Sequence, residues 1–286
     1  MASQESMEKN DDKEVHEKIE PGNLKADIAE GQISALDASE LFLQEKGLSH
    51  EYIHALLEDT DARKKLVKKI DLMLMPLMMG TYTLQYIDKQ AMSYGAVFDL
   101  LAGTHTSGTQ YSWLVTIFYL GYLVSEYPWS YLAQKWSVSR VVAGCVTAWG
   151  AMLMITAACS SFSSLAACRF LLGIFEAPIT PCFMMIVGTW YTRKEQPFRA
   201  GAFYCCNGVG SMIGGILTYG IGQEDSFPVW KIIFILCGGV TVVWGIVLMI
   251  FLPEDPMSSK QFSNTQKGML IARGQQNQTV RPPLTI

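Results

Sequence analysis

The chain has 286 residues, half of them hydrophobic and only 17% charged, with a formal net charge of −4. This charge content is low for a soluble protein of this size, and the weak net charge without a basic face argues against a nucleic-acid-binding protein. The charges are unevenly distributed, since 16 of the 26 acidic and 10 of the 22 basic residues precede Ile70. The sequence therefore predicts a polar N-terminal segment followed by a long apolar body.

The residue types that usually carry enzyme or metal chemistry are poorly placed for it. Seven cysteines lie in apolar segments, without a CxxC or Cys/His spacing, which favours buried free thiols over a zinc site or a disulfide framework. The four histidines lie in the polar tail or in a connection, and GxSxG, HExxH and P-loop motifs are absent. The sequence thus predicts no metal, no cofactor and no enzyme active site.

The polar head of the chain, residues 1–68, is predicted to be a cytoplasmic tail that is disordered over most of its length. Residues 36–58 have the pattern of an amphipathic helix, and residues 61–71 form a basic helical lead into the first apolar run. No signal peptide is recognisable, because the first 60 residues are polar and acidic.

Six apolar runs follow, each about as long as the 20 residues that an α-helix needs to cross a hydrocarbon core. Six such runs in series predict an all-α membrane protein with a six-transmembrane-helix bundle over residues 69–253. They lie at about residues 70–88, 112–133, 140–159, 164–189, 200–222 and 229–252. Residues 89–111 are then the longest connection, flexible at 102–110, and residues 254–286 are a polar cytoplasmic tail.

The lysine and arginine residues predict the orientation in the membrane, because cytoplasmic loops carry an excess of them. With the N-terminus inside, 19 of the 22 basic residues face the cytoplasm, and the exceptions are Lys89, Arg169 and Lys231. We therefore expect an integral protein of the plasma membrane, surrounded by lipid, with both termini cytoplasmic.

Charged residues within the apolar runs are the candidate functional groups. Arg169 and Glu176 lie seven residues apart, about two helical turns, so both project from one helix face. A charge at the membrane centre costs roughly 2.5–3.5 kcal/mol on insertion scales, so such groups usually face a bundle interior or a watery cavity. Asp88 and Lys89 end the first run, and Glu126 lies in the second. Two interpretations remain open, a pathway for protons and anions or buried ion pairs that only fix helix packing.

Glycine and proline residues within the apolar runs predict where helices pack closely and where one of them bends. Gly210 and Gly214 form a GxxxG pattern that predicts close helix packing, since no strand precedes them to support a dinucleotide-binding turn. Pro178 and Pro181 follow Glu176 and lack backbone donors, so they predict a bend in the fourth run.

Five stretches together resemble the anion:cation symporters of the major facilitator superfamily, and in particular its allantoate permease-like transporters. They are YTLQYIDKQAMSYGAVFDL (82–100), YLGYLVSEYPWSYL (119–132), RFLLGIFEAPITP (169–181), WYTRKEQPFRAGAFY (190–204) and WKIIFILCGGVTVVWGIVLMIFLPEDP (230–256). The resemblance covers roughly residues 60–256. It implies proton-coupled uptake of small organic anions, such as allantoate-like or vitamin-like carboxylates. Asp88 and Glu176 would carry protons, and Lys89 and Arg169 would bind the substrate carboxylate.

The chain departs from the family pattern in two places. The loop after the second span normally resembles GxLADRxGR, whereas residues 130–140 read SYLAQKWSVSR, with Gln134 in place of the aspartate and Arg140 at the end. These two residues are candidate gating or structural positions. The family has twelve spans, and the resemblance covers its N-terminal half only. The chain is expected to work as a homodimer or with a separate second half. The alternative is a truncated, non-transporting protein that associates with full-length relatives.

Overall fold

The computed structural model describes residues 50–223, 227–254, 259 and 261–278, and the regular elements within these residues are all helices. They are α1 (His50–Glu58), α2 (Thr60–Val97), α3 (Leu100–Gly103), α4 (Gly108–Lys135), α5 (Val138–Thr156), α6 (Phe162–Glu176), α7 (Ile179–Trp190), α8 (Gln196–Ile221), α9 (Val229–Phe251) and α10 (Asn264–Gln278). The all-α prediction is confirmed for this part of the chain. The basic lead at 61–71 is helical, and most of the predicted helix at 36–58 lies outside the described residues.

The helices of the compact unit Leu56–Ile286 pack in pairs. Helix α5 packs along α9, α4 along α6, and α2 along α8, while α9 also contacts α2 and α5 contacts α6. Large side chains fill the interior, and Trp149, Phe183, Phe203 and Phe234 are fully buried. The two additional contacts join the three pairs into one bundle.

Glycines permit the closest helix approaches in this bundle. A Cβ atom added at Gly121 or Gly173 would collide with a backbone carbonyl of the opposite helix, which brings α4 and α6 into backbone contact. Gly150 of α5 and Gly238 of α9 face each other in the same way, with the added Cβ 2.9 and 2.7 Å from the opposite glycine carbonyl oxygen. Small residues at such crossings let helices pack without bulky side chains between them.

Four helical segments of the described residues are long and apolar enough to cross a membrane. They are Val138–Thr156, Phe162–Trp190, Gln196–Ile221 and Val229–Phe251, and they correspond to the last four predicted runs. The first two runs, 70–88 and 112–133, lie within α2 and α4. These helices are long enough to span, with 38 and 28 residues, but they carry more polar side chains, and their membrane crossing stays a prediction.

The connection between the first two predicted runs differs from the expected flexible loop. Helix α2 continues to Val97, so Asp88 and Lys89 lie well inside it rather than at its end. The short α3 follows, and α4 begins in a capping box in which Ser107 and Gln110 exchange side chain to backbone hydrogen bonds. Part of the predicted flexible stretch 102–110 is thus helical, because a serine cap allows a helix to begin within a polar sequence.

The fourth predicted run is interrupted at the point where its two prolines predict a bend. Helix α6 ends at Glu176 and α7 begins at Ile179, with two residues between them. Pro178 has no N–H to donate to the carbonyl of Ile174, four residues earlier. The hydroxyl of Ser125 on α4 lies 3.5 Å from that carbonyl oxygen. The helix is thus interrupted directly beyond Glu176.

The segment expected to be a polar C-terminal tail contains a packed helix, α10. Residues 269–272 are buried, as is Arg273, which forms an ion pair with Glu195. The ammonium of Lys69 donates to the side-chain oxygen of Gln266 at 3.0 Å. The apolar sequence Met-Leu-Ile-Ala at 269–272 explains why this part of the tail folds.

Candidate functional site

The structure brings a lysine of α2 into contact with a glutamate of α6. Lys89 Nζ lies 2.9 Å from Glu176 Oε1. Glu176 is fully buried, whereas the Lys89 side chain keeps 32% of its surface exposed. Neither oxygen of Glu176 has an aligned hydrogen bond to another described group, so the contact is a close ion pair. Desolvation makes a buried carboxylate costly unless a counter-charge accompanies it, and Lys89 supplies that charge.

Asp88, the neighbour of Lys89, is fully buried between three helices. Its Oδ2 accepts a hydrogen bond of 2.7 Å from the hydroxyl of Thr241 on α9. The indole N–H of Trp149 on α5 lies near the same carboxylate without completing an aligned hydrogen bond. The sequence analysis missed Thr241, although a hydroxyl inside the apolar run 229–252 is a signal that could have indicated it.

Arg169 is buried, and part of its guanidinium has no acceptor. Its Cζ lies 5.7 Å from the ring centre of Phe234, and its Nε and Nη2 atoms have no hydrogen-bond partner within the described ranges. Arg169 is within electrostatic range of both Glu176 and Asp88. Unpartnered donors are costly to bury, and the planar fork of an arginine fits a carboxylate with two parallel hydrogen bonds.

A cavity of about 220 Å³ lies between α2, α4 and α6, next to the charged cluster. Its lining residues are Tyr86, Lys89, Gln90, Met92, Ser93, Tyr111, Leu114, Val115, Phe118, Tyr119 and Arg169. The two cations of the cluster, Lys89 and Arg169, therefore border the same space. The cavity is smaller than the roughly 300–1,000 Å³ of typical ligand pockets, so it suits a small anion.

Two other predicted residues lie away from this cluster. Glu126 is exposed on α4. Arg140 is also exposed and joins the start of α5 to the end of α9 through Glu254, with Nε–Oε1 and Nη2–Oε2 distances of 2.6 and 3.3 Å. These hydrogen bonds hold the pKa of the Glu254 carboxyl below its ordinary value. Gln134 lies in α4, and its side chain is outside what the structure describes.

The two glycines of the GxxxG pattern lie where α8 crosses α2. A Cβ at Gly210 would lie 2.7 Å from the carbonyl oxygen of Thr83, and one at Gly214 would lie 2.9 Å from the hydroxyl of Tyr94. Both therefore border the helix that carries Asp88 and Lys89.

The cysteines follow their predicted pattern with one exception. All seven are free, and six are buried, but Cys205 is exposed on α8. Among the described residues no group of three or more His, Cys, Asp or Glu side chains could hold a metal ion.

Comparison with known proteins adds the family context. The family model of the Major Facilitator Superfamily matches residues 76–285. An uncharacterized transporter of Schizosaccharomyces pombe is 39% identical over 241 residues, which cover 82% of this chain and 46% of the relative. The allantoate permease of Saccharomyces cerevisiae is 33% identical over 221 residues, which cover 75% of this chain and 41% of the permease.

A solved structure has a similar fold. The inward-facing, unoccupied crystal structure of a bacterial homolog of the human lysosomal transporter Spinster aligns with a TM-score of 0.56 at 20% identity. The alignment covers 65% of this chain and 43% of that one. The chain thus spans less than half the length of each of these proteins.

Proposed function

The chain belongs to the major facilitator superfamily, and from this premise we propose that its helical bundle carries small organic anions together with protons across a membrane. The proposal rests on the buried carboxylate of Glu176, which is paired with Lys89 at 2.9 Å next to Arg169 and the cavity. A buried carboxylate that alternates between its charged and neutral forms needs a positive partner that can move away when the carboxylate is neutral. Lys89 meets this requirement, because its side chain remains partly exposed.

The charge balance of the cluster supports coupling between proton and anion. With Asp88, Lys89, Arg169 and Glu176 all ionised, the four charges sum to zero. A proton that binds Glu176 removes one negative charge, releases Lys89 from the ion pair and leaves a net positive charge beside the cavity. An anion then binds more tightly, and by reciprocity the bound anion strengthens the binding of the proton.

The proposed substrate is a small carboxylate. Arg169 offers two unpartnered donors in a geometry that matches the two oxygens of a carboxylate. Lys89 adds a point charge without this fork, and the hydroxyl groups of Tyr86, Tyr111 and Tyr119 add hydrogen-bonding capacity around the cavity. The similarity to an allantoate permease supports allantoate-like or vitamin-like carboxylates as the first compounds to test.

The proposal includes a second six-helix bundle that faces this one across the site. Carriers of this superfamily alternate access by rocking one bundle against the other around a central site. The cavity would then lie at the junction of the two bundles. We also propose the plasma membrane as the location, with both termini cytoplasmic.

Uptake into vesicles under an imposed pH gradient tests the proposal. We expect a labelled carboxylate to accumulate only when protons can flow inward. Glu176→Gln should lower this uptake by about tenfold or more, equivalent to about 1.4 kcal/mol, and should remove its dependence on the gradient. Glu126→Gln is the matched control, because it changes an exposed glutamate of α4, and it should transport normally. Proton coupling would be refuted if uptake is independent of the pH gradient and is also unchanged in Glu176→Gln.

A further inference from the structure

Two buried cysteines are in contact at the turn between α5 and α6, outside the charged cluster. Cys159 follows the end of α5 and Cys168 lies in α6, and each keeps only 7% of its surface exposed. Their sulfur atoms lie 3.6 Å apart. All seven cysteines are among the described residues, and this is the pair whose sulfur atoms are in contact.

The geometry allows a covalent bond after a small movement. A disulfide has an S–S length of about 2.05 Å, so the two sulfur atoms must approach by about 1.5 Å. Cys159 lies between the last residue of α5 and the first residue of α6, so its backbone is not held in a helix. Its thiol gives up only a weak contact of 3.7 Å with the carbonyl oxygen of Ile155.

We propose that Cys159 and Cys168 form a reversible disulfide that ties the α5–α6 turn to α6 beside Arg169. With a peroxide as oxidant, each thiol loses one proton and one electron, the S–S bond forms, the O–O bond breaks, and two waters leave. A dithiol reductant reverses the reaction by exchange. The expected orientation of the chain puts this turn on the non-cytoplasmic side, where disulfides persist.

The disulfide would restrict the start of α6, the helix that carries Arg169 beside the cavity. Cys168 immediately precedes Arg169 in α6, and the disulfide closes a short loop that contains the start of this helix. Cross-links of this kind restrict the unfolded chain and stabilise the folded one. We therefore expect the oxidised protein to unfold at a temperature several degrees higher than the reduced protein.

Thiol counting on the purified, folded chain tests the proposal directly and does not depend on transport. Treatment of the folded chain with hydrogen peroxide should remove two of the thiols that are alkylated after subsequent denaturation, and should lower the mass by about 2 Da, the two hydrogens lost when the bond forms. A proteolytic fragment should join the segments that contain Cys159 and Cys168, and dithiothreitol should separate them.

Serine variants identify the pair. Cys159→Ser and Cys168→Ser should each abolish the cross-link, and Cys205→Ser, which changes an exposed cysteine, should keep it. If the native wild-type protein retains both thiols, or if another pair of cysteines is joined, the proposal is wrong. The wild-type measurement decides this even where a serine variant fails to fold.

Discussion

Arg169 is the residue that best distinguishes an anion site from a merely structural ion pair. Its Nε and Nη2 atoms have no acceptor among the described groups, although the side chain is buried and borders the cavity. A structural arginine would normally have these donors satisfied by its partner. The proposed function assigns this pair of donors to the carboxylate of the substrate.

Replacing Arg169 with lysine should weaken substrate binding while keeping the charge. Arg169→Lys removes the fork that can form two parallel hydrogen bonds. We expect the KM of carboxylate uptake to rise by about tenfold, equivalent to about 1.4 kcal/mol, with a smaller change in the maximal rate. Arg140→Lys is the matched control, because Arg140 is exposed and pairs with Glu254. Equal KM values for Arg169→Lys and the wild type would show that Arg169 does not contact the substrate.

The pair of Arg140 and Glu254 should give the protein a small dependence of stability on pH. Hydrogen bonds from Arg140 lower the pKa of Glu254, so their stabilisation is complete above the ordinary pKa of a glutamate and is lost as pH falls through the lowered value. Because the pair is exposed, we expect about 0.5 kcal/mol, or about 1–2 °C in unfolding temperature.

Thermal unfolding of Arg140→Gln at neutral and acidic pH tests this expectation. The variant should lack this part of the loss in acid, and high salt should reduce its difference from the wild type at neutral pH. Lys64→Gln, a change at an exposed lysine of α2, should behave as the wild type does. If Arg140→Gln shows the full acid sensitivity of the wild type, the pair does not contribute.

At the residue scale, the sequence identified the charged residues within the apolar runs as candidates, because isolated charges in an apolar bundle are unfavourable. The structure brings two of them, Lys89 and Glu176, within 2.9 Å of each other. The sequence could not predict that Glu126 is exposed, since the exposed side of α4 is decided by which helices pack against it. Contacts between distant segments, such as that of Asp88 with Thr241, depend on the same tertiary packing.

At the scale of the helices, the close crossings between packed pairs depend on glycines. The sequence predicted the positions of the four apolar segments that are long enough to cross a membrane, because runs of about 20 apolar residues are a direct signal. It also predicted the close approach at Gly210 and Gly214 from their spacing. The crossing of Gly150 and Gly238 was not predicted, because these two residues lie in different helices and share no local pattern.

Gly150→Ala should destabilise the contact between α5 and α9. The new Cβ would lie 2.8 Å from the backbone nitrogen of Val242 and 2.9 Å from the carbonyl oxygen of Gly238, so the helices must separate. We expect a loss of about 1–3 kcal/mol. Gly144→Ala is a control in the same helix, where the added Cβ meets nothing within 4 Å, and it should be neutral or stabilise by up to about 1 kcal/mol. Thermal unfolding of both variants checks this, and equal stability would contradict the close crossing.

The whole molecule is predicted to have a defined orientation in the membrane, based on its basic residues. His105 lies in the connection before α4, and Lys194 lies between α7 and α8, and both are exposed. In a Cys205→Ser background, His105→Cys should react with an impermeant thiol reagent on intact cells. Lys194→Cys should react only after the cells are permeabilised. The reverse pattern would overturn the proposed orientation, and with it the assignment of the turn at Cys159 to the non-cytoplasmic side.

The helix of the fourth run is interrupted directly beyond Glu176, next to the charged cluster. Pro178 cannot complete the hydrogen bond to the Ile174 carbonyl, and the nearby Ser125 hydroxyl also donates to α4, at 2.7 Å from the carbonyl oxygen of Gly121. Bending at this point therefore breaks no hydrogen bond between residues 178 and 174. In the proposed function, a tilt of α4 would move the Glu176 carboxylate relative to Lys89, so proton binding would depend on the position of α4.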